Sequence, residues 1–155
     1  MGHSKTCSRI FLGLKIKMDN NNFLYDEFLI CTVREADEED KKILEDYVKR
    51  QEASGKKIYY PARDTNQIDS TGGYRICQDN CYAMINSQKV SVYWTQKSEG
   101  TKFDLGESFL LHELEGKKIN LINRSKVEKI VEEQKQKGIG KSFEMVVLKL
   151  DDLSK

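Results

Sequence analysis

The sequence predicts an α/β domain built on a mostly parallel β-sheet. Short apolar segments alternate along the chain with longer segments in which apolar residues recur at helical spacing. This alternation is typical of βαβ units, and right-handed crossovers place the helices on both faces of such a sheet. The chain has 155 residues, of which 38% are apolar, which is enough for one domain around one core.

Five segments are predicted to be strands. The first, FLICTV, is a nearly continuous apolar run, as expected of a strand buried on both faces. The five predicted strands cover residues 28–33, 57–61, 89–95, 118–123 and 143–150. We expect them in the order 2-1-3-4-5, which gives a flavodoxin-like three-layer sandwich with a five-stranded, mostly parallel sheet.

Four longer segments have helical patterns. They cover residues 37–54, residues 74–87 after a polar loop at 62–73, a segment from Asp104 to the stop at Gly116, and a segment around Val127 and Val131. The second of these helices places Asn80 on one line with Ile76 and Met84, and Cys77 and Cys81 lie beside that line.

The first part of the chain differs from the rest. The run IFLGLKIKM at residues 10–18 alternates only loosely, and DNNN at residues 19–22 then interrupts it. Its apolar part is too short and too rich in lysine for the apolar region of a secretory signal. We therefore treat residues 1–25 as an N-terminal extension, which is a leader, an added remnant or a loosely attached extra strand, and residues 26–155 as a single domain.

The composition argues against several classes of function. Charged residues make up 33% of the chain but the net charge is only +1, so the dense basic stripe typical of nucleic-acid binding is missing. No apolar run is long enough to span a bilayer. The four cysteines do not indicate a disulfide framework, and the two histidines lack the partners of a metal motif. We expect a reduced, cytoplasmic protein with no metal or cofactor, whose partners include neither a nucleic-acid polymer nor a membrane.

The segment at residues 90–109 contains the best candidate site. An apolar strand there leads into a polar loop, which can bend around a small molecule at Gly100, and then into a helix that starts at Asp104. Open α/β sheets bind ligands at the carboxyl ends of their strands, and helix N-termini favour anions. Asp104 therefore either faces a ligand or acts only as the N-cap of the helix.

Thr32 and Arg34, at the end of the first strand, join the candidate site. The predicted topology places the end of the first strand next to the end of the third strand. Arg34 suits a phosphate or a carboxylate, or alternatively pairs with Asp37 or Glu38 at the surface. Asp79 of the second helix falls among apolar residues, so it needs a partner or a raised pKa unless it is solvated at the helix edge.

Three short motifs occur in order between residues 28 and 123. They are CTVR at residues 31–34, QDN at residues 78–80 and SEGTKFDLG at residues 98–106. Together they resemble the turn after the first strand, the aspartate-bearing helix and the acid-Leu-Gly signature of the nucleoside 2-deoxyribosyltransferases and the related 2'-deoxynucleoside 5'-monophosphate N-hydrolases. The third motif is the most specific of the three.

The resemblance implies cleavage or transfer at the N-glycosidic bond of a 2'-deoxynucleoside or its 5'-monophosphate. In this family a carboxylate attacks the anomeric carbon and holds the sugar until water or a second base takes it, which suits an oxocarbenium-like transition state. By position, Asp104 is the nucleophile, and Asp79 orients the substrate or gives a proton to the leaving base. The implied substrate-binding residues are Thr32, Gly100, Ser98 at the sugar or its 5' group, and Arg34 at a 5'-phosphate.

Two further expectations concern the base and the assembly. Trp94 or Tyr93, at the end of the third predicted strand, is placed to stack on the base. Family members complete their pockets across a subunit interface, so the resemblance also implies a homodimer or a larger assembly.

One position departs from the family pattern. The signature acid is usually Glu, whereas this chain has Asp104, whose side chain is one methylene shorter. A misplacement of about 1 Å can cost about a hundredfold in rate. Either a closer backbone restores the reaction, or Glu107 takes over, or the chain is a non-catalytic nucleotide-binding or sensor module. An FMN-type electron carrier is disfavoured, because residues 34–39 are too acidic for a flavin phosphate.

Overall fold

Four parallel strands form the sheet. They are β1 (Tyr25–Ile30), β2 (Ile58–Tyr59), β3 (Ser87–Val92) and β4 (Lys118–Leu121) in the computed structural model, which describes residues 22–155. The strand order is β2-β1-β3-β4, and every neighbouring pair is parallel. The α/β class and the predicted order of the first four strands are therefore confirmed.

Six helices accompany the sheet in the described part of the chain. They are α1 (Glu38–Ala53), α2 (Pro61–Asp64), α3 (Tyr74–Ile85), α4 (Glu99–Glu115), α5 (Arg124–Gln136) and α6 (Phe143–Leu153). Local signals set several of their ends. The Asp37 carboxylate caps α1 by accepting the N–H of Asp40, and Gly116 ends α4 in the left-handed conformation that glycine adopts without strain. Pro61 starts the short α2, where its missing N–H costs no hydrogen bond.

The residues of β1 alternate between two apolar layers. Phe28 and Ile30 belong to a core cluster that includes side chains from α3, α4, α5 and α6. Leu29, together with Cys31 just after the strand, belongs to a second cluster with side chains from α1. Because successive strand residues face opposite sides, β1 is buried on both faces, as its apolar run predicts.

The predicted strand over residues 143–150 is wrong, because these residues form most of α6. That helix packs beside β4 and occupies the edge where a fifth strand would pair. The N–H of Ile119 donates to Ser154 Oγ at 2.9 Å. The N–H of Leu121 donates to Asp151 Oδ1, also at 2.9 Å. Since side chains of α6 and its C-terminal cap satisfy these edge groups, no strand pairs with β4 on this side, and the sheet within residues 22–155 has four strands rather than five.

The predicted start of the helix that carries Asp104 is also wrong. α4 begins at Glu99, because Ser98 Oγ caps it by accepting the N–H of Thr101 at 3.2 Å. Asp104 is therefore not the N-cap. Gly100 lies in the first turn of the helix rather than in a loop that bends around a ligand.

Most of the predicted N-terminal extension, residues 1–25, lies outside the described residues, as do His3 and Cys7. β1 begins at the last residue of this extension, and the N–H groups of Leu24 and Tyr25 both donate to the carbonyl of Asn86. Within residues 22–155, no helix combines the length and the apolar character needed to cross a membrane.

Candidate active site

Asp104 lies in the second turn of α4, on the face of the helix that is buried. Only 6% of its surface is exposed. Thr101, Leu105 and Ser108 share that buried face, as helical spacing requires. An ionisable group at such a position loses its hydration, so its neighbours determine whether it carries a charge.

A chain of buried polar side chains leads to the Asp104 carboxyl. Asn80 of α3 donates from Nδ2 to Asp104 Oδ2 at 3.4 Å. Thr65 Oγ1 donates to Asn80 Oδ1 at 2.9 Å and lies 2.8 Å from the hydroxyl of Tyr59. None of the four residues has more than 7% of its surface exposed. The end of β2, the loop that follows α2, and helices α3 and α4 thus meet around one carboxyl group.

Two carboxyl groups on α4 have raised pKa values. Burial raises the pKa of Asp104 to about 7, against the opposing effect of the Asn80 hydrogen bond. Burial, together with the charge of Asp104, raises the pKa of Glu107 to about 7, and the Cys81 thiol opposes this rise. Glu107 Oε2 is buried and has no hydrogen-bond partner among residues 22–155. Because the Asp104 charge adds to the rise in the pKa of Glu107, Glu107 can stay protonated near neutral pH while Asp104 is ionised.

Three cysteines surround these carboxyls, and all three are free thiols. Burial, together with the charge of Asp104, raises the pKa of Cys31 and of Cys77. Burial and then Glu107 raise the pKa of Cys81 to about 11. Neutral thiols are poor nucleophiles and poor metal ligands. In the part of the chain that the structure describes, no three His, Cys, Asp or Glu side chains are grouped so that they could hold a metal ion.

Asp79 does not belong to this buried group. Its side chain is 43% exposed, and its carboxylate accepts a hydrogen bond from Arg75 Nη1 at 2.6 Å. Asp79 therefore has the half-exposed position at the helix edge that is the second alternative for this residue, with Arg75 as its partner. Its neighbour Asn80 is the α3 residue that contacts Asp104.

The two aromatic residues after β3 are buried in the protein and are not free to stack on a base. Trp94 is 1% exposed, and its Nε1 donates to Glu144 Oε1 at 2.9 Å. Tyr93 is 2% exposed, and its hydroxyl donates to Asp40 Oδ1 at 2.7 Å. The prediction that one of them stacks on a ligand is corrected by this packing.

The residues after β1 differ in their surroundings. Thr32 is buried, and its hydroxyl donates to Glu35 Oε2 at 3.0 Å. Arg34 is exposed, and within residues 22–155 it forms no ion pair, so the alternative partners Asp37 and Glu38 do not hold it. Arg34 is therefore available to an anion near the carboxyl end of β1.

Ser98 lies where the segment after β3 enters α4. It is 4% exposed, and its Oγ accepts the N–H of Thr101, which leaves the hydroxyl hydrogen for another acceptor. The preceding backbone is fixed by Asn123, because its Nδ2 donates to the carbonyl of Trp94 at 2.8 Å and its Oδ1 accepts the N–H of Trp94 at 2.9 Å. Ser98 thus follows a rigid strand end.

An apolar hollow of about 280 Å³ lies elsewhere, between α4 and α6. Phe109, Met145 and Leu153 are among the residues that line it, with Glu113 and Lys149 at polar positions. None of its lining residues is among the groups that surround Asp104. The hollow has no buried titratable pair, so we place the candidate active site at Asp104.

Comparison of the chain with protein-family models, curated proteins and solved structures finds no match. What the site does is therefore inferred from its own residues. A carboxyl group that titrates near neutral pH, beside a second one on the same helix, is suited to nucleophilic attack or to proton transfer.

Sequence reasoning missed the polar chain behind Asp104. Thr65 and Tyr59 carry no local signal, because they reach Asn80 only through the fold. Asn80 does carry a local signal, because it shares a helical line with Met84, which is fully buried. A polar residue on a buried helix face needs a hydrogen-bond partner, and that requirement singles out Asn80.

Proposed function

We propose that this protein cleaves the N-glycosidic bond of a 2'-deoxynucleoside or its 5'-monophosphate, or transfers the sugar, with Asp104 as the nucleophile. The supporting observation is the buried Asp104 carboxyl, which Asn80 contacts and which lies close enough to Cys31 to raise the pKa of that thiol. Cys31 directly follows β1, and open α/β sheets bind ligands at the carboxyl ends of their strands. This is the activity of the nucleoside 2-deoxyribosyltransferases and N-hydrolases that the motifs resemble.

The reaction has two steps. In the first, a carboxylate oxygen of Asp104 forms a bond to the anomeric carbon, and the N-glycosidic bond breaks with its electron pair leaving on the base. The base takes up a proton, and Glu107 is a neighbouring carboxyl whose raised pKa lets it carry one near neutral pH. In the second step, water or another base attacks the same carbon and releases the Asp104 carboxylate, and the proton of the attacking group passes to the Glu107 carboxylate left by the first step.

A 5'-monophosphate is the preferred substrate in this proposal. The Ser98 hydroxyl can donate to a phosphate oxygen, whereas an acid at this position would repel it. The first N–H groups of α4 favour an anion at the same place. Arg34 is exposed and free of ion pairs within residues 22–155, so it can reach a phosphate from the β1 side.

The proposal also includes a flavodoxin-like architecture, a homo-oligomeric assembly and a cytoplasmic location. The order β2-β1-β3-β4, with helices on both faces, is consistent with a flavodoxin-like sandwich that has four of its five strands within residues 22–155. Phe103, Leu110 and Leu114 form an exposed apolar stripe on α4, which supports a homodimer or larger assembly. The free thiols of the described residues fit the reducing cytoplasm.

A non-catalytic nucleotide-binding or sensor module is the second candidate. Two observations favour it: the nucleophile is an aspartate rather than the longer glutamate, and only 6% of its surface is exposed. Such a module would keep the phosphate contacts at Ser98 and Arg34 but would release no base. Binding without turnover in the assay below would identify it.

The test is a chromatographic assay for free base. Purified protein is incubated with each common 2'-deoxynucleoside and each 5'-monophosphate, with and without an acceptor base. We expect free base from at least one monophosphate, and none from Asp104→Asn protein that is folded by circular dichroism. Complete absence of free base from the wild type would reject catalysis, and full activity in Asp104→Asn would reject Asp104 as the nucleophile in favour of Glu107.

Asp104→Glu is the second variant, because it restores the acid that the family usually has. If the aspartate is merely too short, the longer side chain should raise the rate of base release. If the backbone of α4 already compensates, the extra methylene misplaces the carboxylate and the rate should fall, by as much as about a hundredfold for a displacement of about 1 Å.

A further inference from the structure

We propose that Asn80, Thr65 and Tyr59 form a one-directional hydrogen-bond relay that positions the Asp104 carboxylate, with Asn80 and Thr65 as positioning residues. This inference rests on the proposed function for its catalytic consequence, but the relay itself is a property of the folded protein. It joins the end of β2 and the loop after α2 to the second turn of α4. Neither Thr65 nor Tyr59 belongs to the motifs that carry the family resemblance.

The direction of the relay follows from the orientation of the Asn80 amide, which accepts from Thr65 on Oδ1 and donates to Asp104 from Nδ2. A threonine hydroxyl has one hydrogen, and the Thr65 hydrogen goes to Asn80 Oδ1 over 2.9 Å. The 2.8 Å contact between Thr65 and Tyr59 must then use the Tyr59 hydrogen, with Thr65 as acceptor. Because Asn80 Oδ1 is occupied as an acceptor, its amide group must face Asp104 with Nδ2, a donor. Every bond in the relay therefore donates towards Asp104.

This polarity stabilises one protonation state of Asp104. A donor chain that ends on a carboxyl oxygen favours the ionised form, and neighbouring hydrogen bonds in a buried chain strengthen one another. The ionised form is the one that attacks carbon. If the Asn80 amide were free to turn over, its oxygen would instead accept a proton from neutral Asp104 and favour the unreactive form.

The other titratable groups near Asp104 supply no positive charge that would favour its ionisation. They are Cys31 after β1, Cys77 and Cys81 on α3, and Glu107 on α4. None of them is a cation, so no positive charge compensates the buried carboxylate from these elements. Among the described residues, the Asn80 amide is the only group that donates a hydrogen bond to the Asp104 side chain. The orientation of this amide is therefore decisive.

The experiment measures the titration of Asp104 directly and needs no substrate. The protein is labelled with ¹³C at the aspartate carboxyl carbons, and the Asp104 resonance is assigned by its loss in Asp104→Asn. Its midpoint is followed by NMR from pH 4 to pH 9 in the wild type and in Thr65→Val, Thr65→Ser and Asn80→Leu. Thr65→Val keeps the shape of the side chain but removes the hydroxyl, whereas Thr65→Ser keeps the hydroxyl.

The relay predicts a graded result. Asn80→Leu should raise the Asp104 midpoint by about one pH unit or more, because a hydrogen bond to a charged group is lost. Thr65→Val should raise it by about half a unit by releasing the Asn80 amide, and Thr65→Ser should match the wild type. Ser108→Ala is the matched control: it removes a buried hydroxyl of α4, whose partner among the described residues is the Leu105 carbonyl, and it should leave the midpoint unchanged.

A common midpoint for Thr65→Val and Thr65→Ser would overturn the relay, whether or not Asn80→Leu folds. If the midpoints shift as expected but the wild type releases no base, the relay stands and the proposed function fails. If the protein is active, the acid limb of the kcat/KM profile should move in Thr65→Val by the same amount as the NMR midpoint. A uniform loss of activity at all pH values would assign Thr65 a structural role only.

Discussion

Replacing Asp104 with asparagine should stabilise the protein at alkaline pH. Burial opposes the charge on this side chain, and asparagine has nearly the same shape without a charge. The amide oxygen introduced by Asp104→Asn can still accept the hydrogen bond that Asn80 now donates to Oδ2. The cap of α4 is unaffected, because Ser98 and not Asp104 provides it.

The magnitude follows from the shift in pKa from 3.8 to about 7 on folding. Between these two values the folded protein binds more protons than the unfolded chain, so wild-type stability falls as the pH rises from about 4 to about 7 and is then constant. For Asp104 alone the penalty is about 1.6 kcal/mol at pH 5 and about 4 kcal/mol at pH 8. The stability of Asp104→Asn relative to the wild type should therefore increase by about 2–3 kcal/mol between these pH values.

Glu107 should act in the same direction. The Asp104 charge contributes to the raised pKa of Glu107, so the variant also lowers the cost of ionising Glu107. Urea unfolding at pH 5, 6, 7 and 8, with slopes compared between variants, measures the difference. Glu113→Gln, an exposed position of the same helix, should change stability by no more than about 0.5 kcal/mol at any pH. A difference between Asp104→Asn and wild type that is the same at pH 5 and pH 8 would refute the claim that Asp104 is buried as an ionisable carboxyl.

Four other variants test the remaining contacts. Arg34→Ala should weaken monophosphate binding by about 1.5–3 kcal/mol and leave nucleoside binding unchanged; equal losses in calorimetry would make Arg34 structural. Ser98→Asp should still cap α4, so its melting temperature should stay near that of the wild type while monophosphate affinity falls; unchanged affinity would remove Ser98 from the phosphate site. Asn123→Ala should cost about 2–3 kcal/mol in urea unfolding, because two backbone groups of Trp94 lose their partner; a loss below about 0.5 kcal/mol would mean that water replaces them. Trp94→Phe should cost about 1–3 kcal/mol through the lost bond to Glu144 and leave ligand affinity unchanged; weaker binding would restore the stacking hypothesis.

The central part of the fold was predictable because its signals are local. The apolar run of β1, the Asp37 cap of α1 and the Gly116 stop of α4 each act within a few residues. The run FEMVVLKL at residues 143–150 contains no such signal, since a short continuous apolar segment fits a strand as well as a buried helix. The contact of this segment with β4 decides for a helix over a strand, and this contact is not visible in the sequence around residue 143.

The sequence singles out Asp104 but not the residues that surround it in the fold. The signature at residues 98–106 led to Asp104, and its burial on α4 agrees with a special role. The helix start was misplaced because Ser98 and Asp104 are both good N-caps, and only the hydrogen bond to Thr101 separates them. The QDN motif points to Asp79, whereas helical spacing places the neighbouring Asn80 on the buried line.

The bonds from α6 to β4 also affect how the protein resists self-association. An open strand edge can template another chain, but here the N–H groups of Ile119 and Leu121 are already bonded within the molecule, and β2 at the opposite edge has only two residues. Hydrogen bonds from Leu121 and Arg124 outweigh burial and hold the pKa of Asp151 below its usual range. The bond between Leu121 and Asp151 at the β4 edge therefore persists in mild acid and weakens when Asp151 takes up a proton. Protonation would remove the ion pairs of Asp151 with Arg124 and Lys155, whereas the bond from Ile119 to Ser154 does not depend on the charge of Asp151.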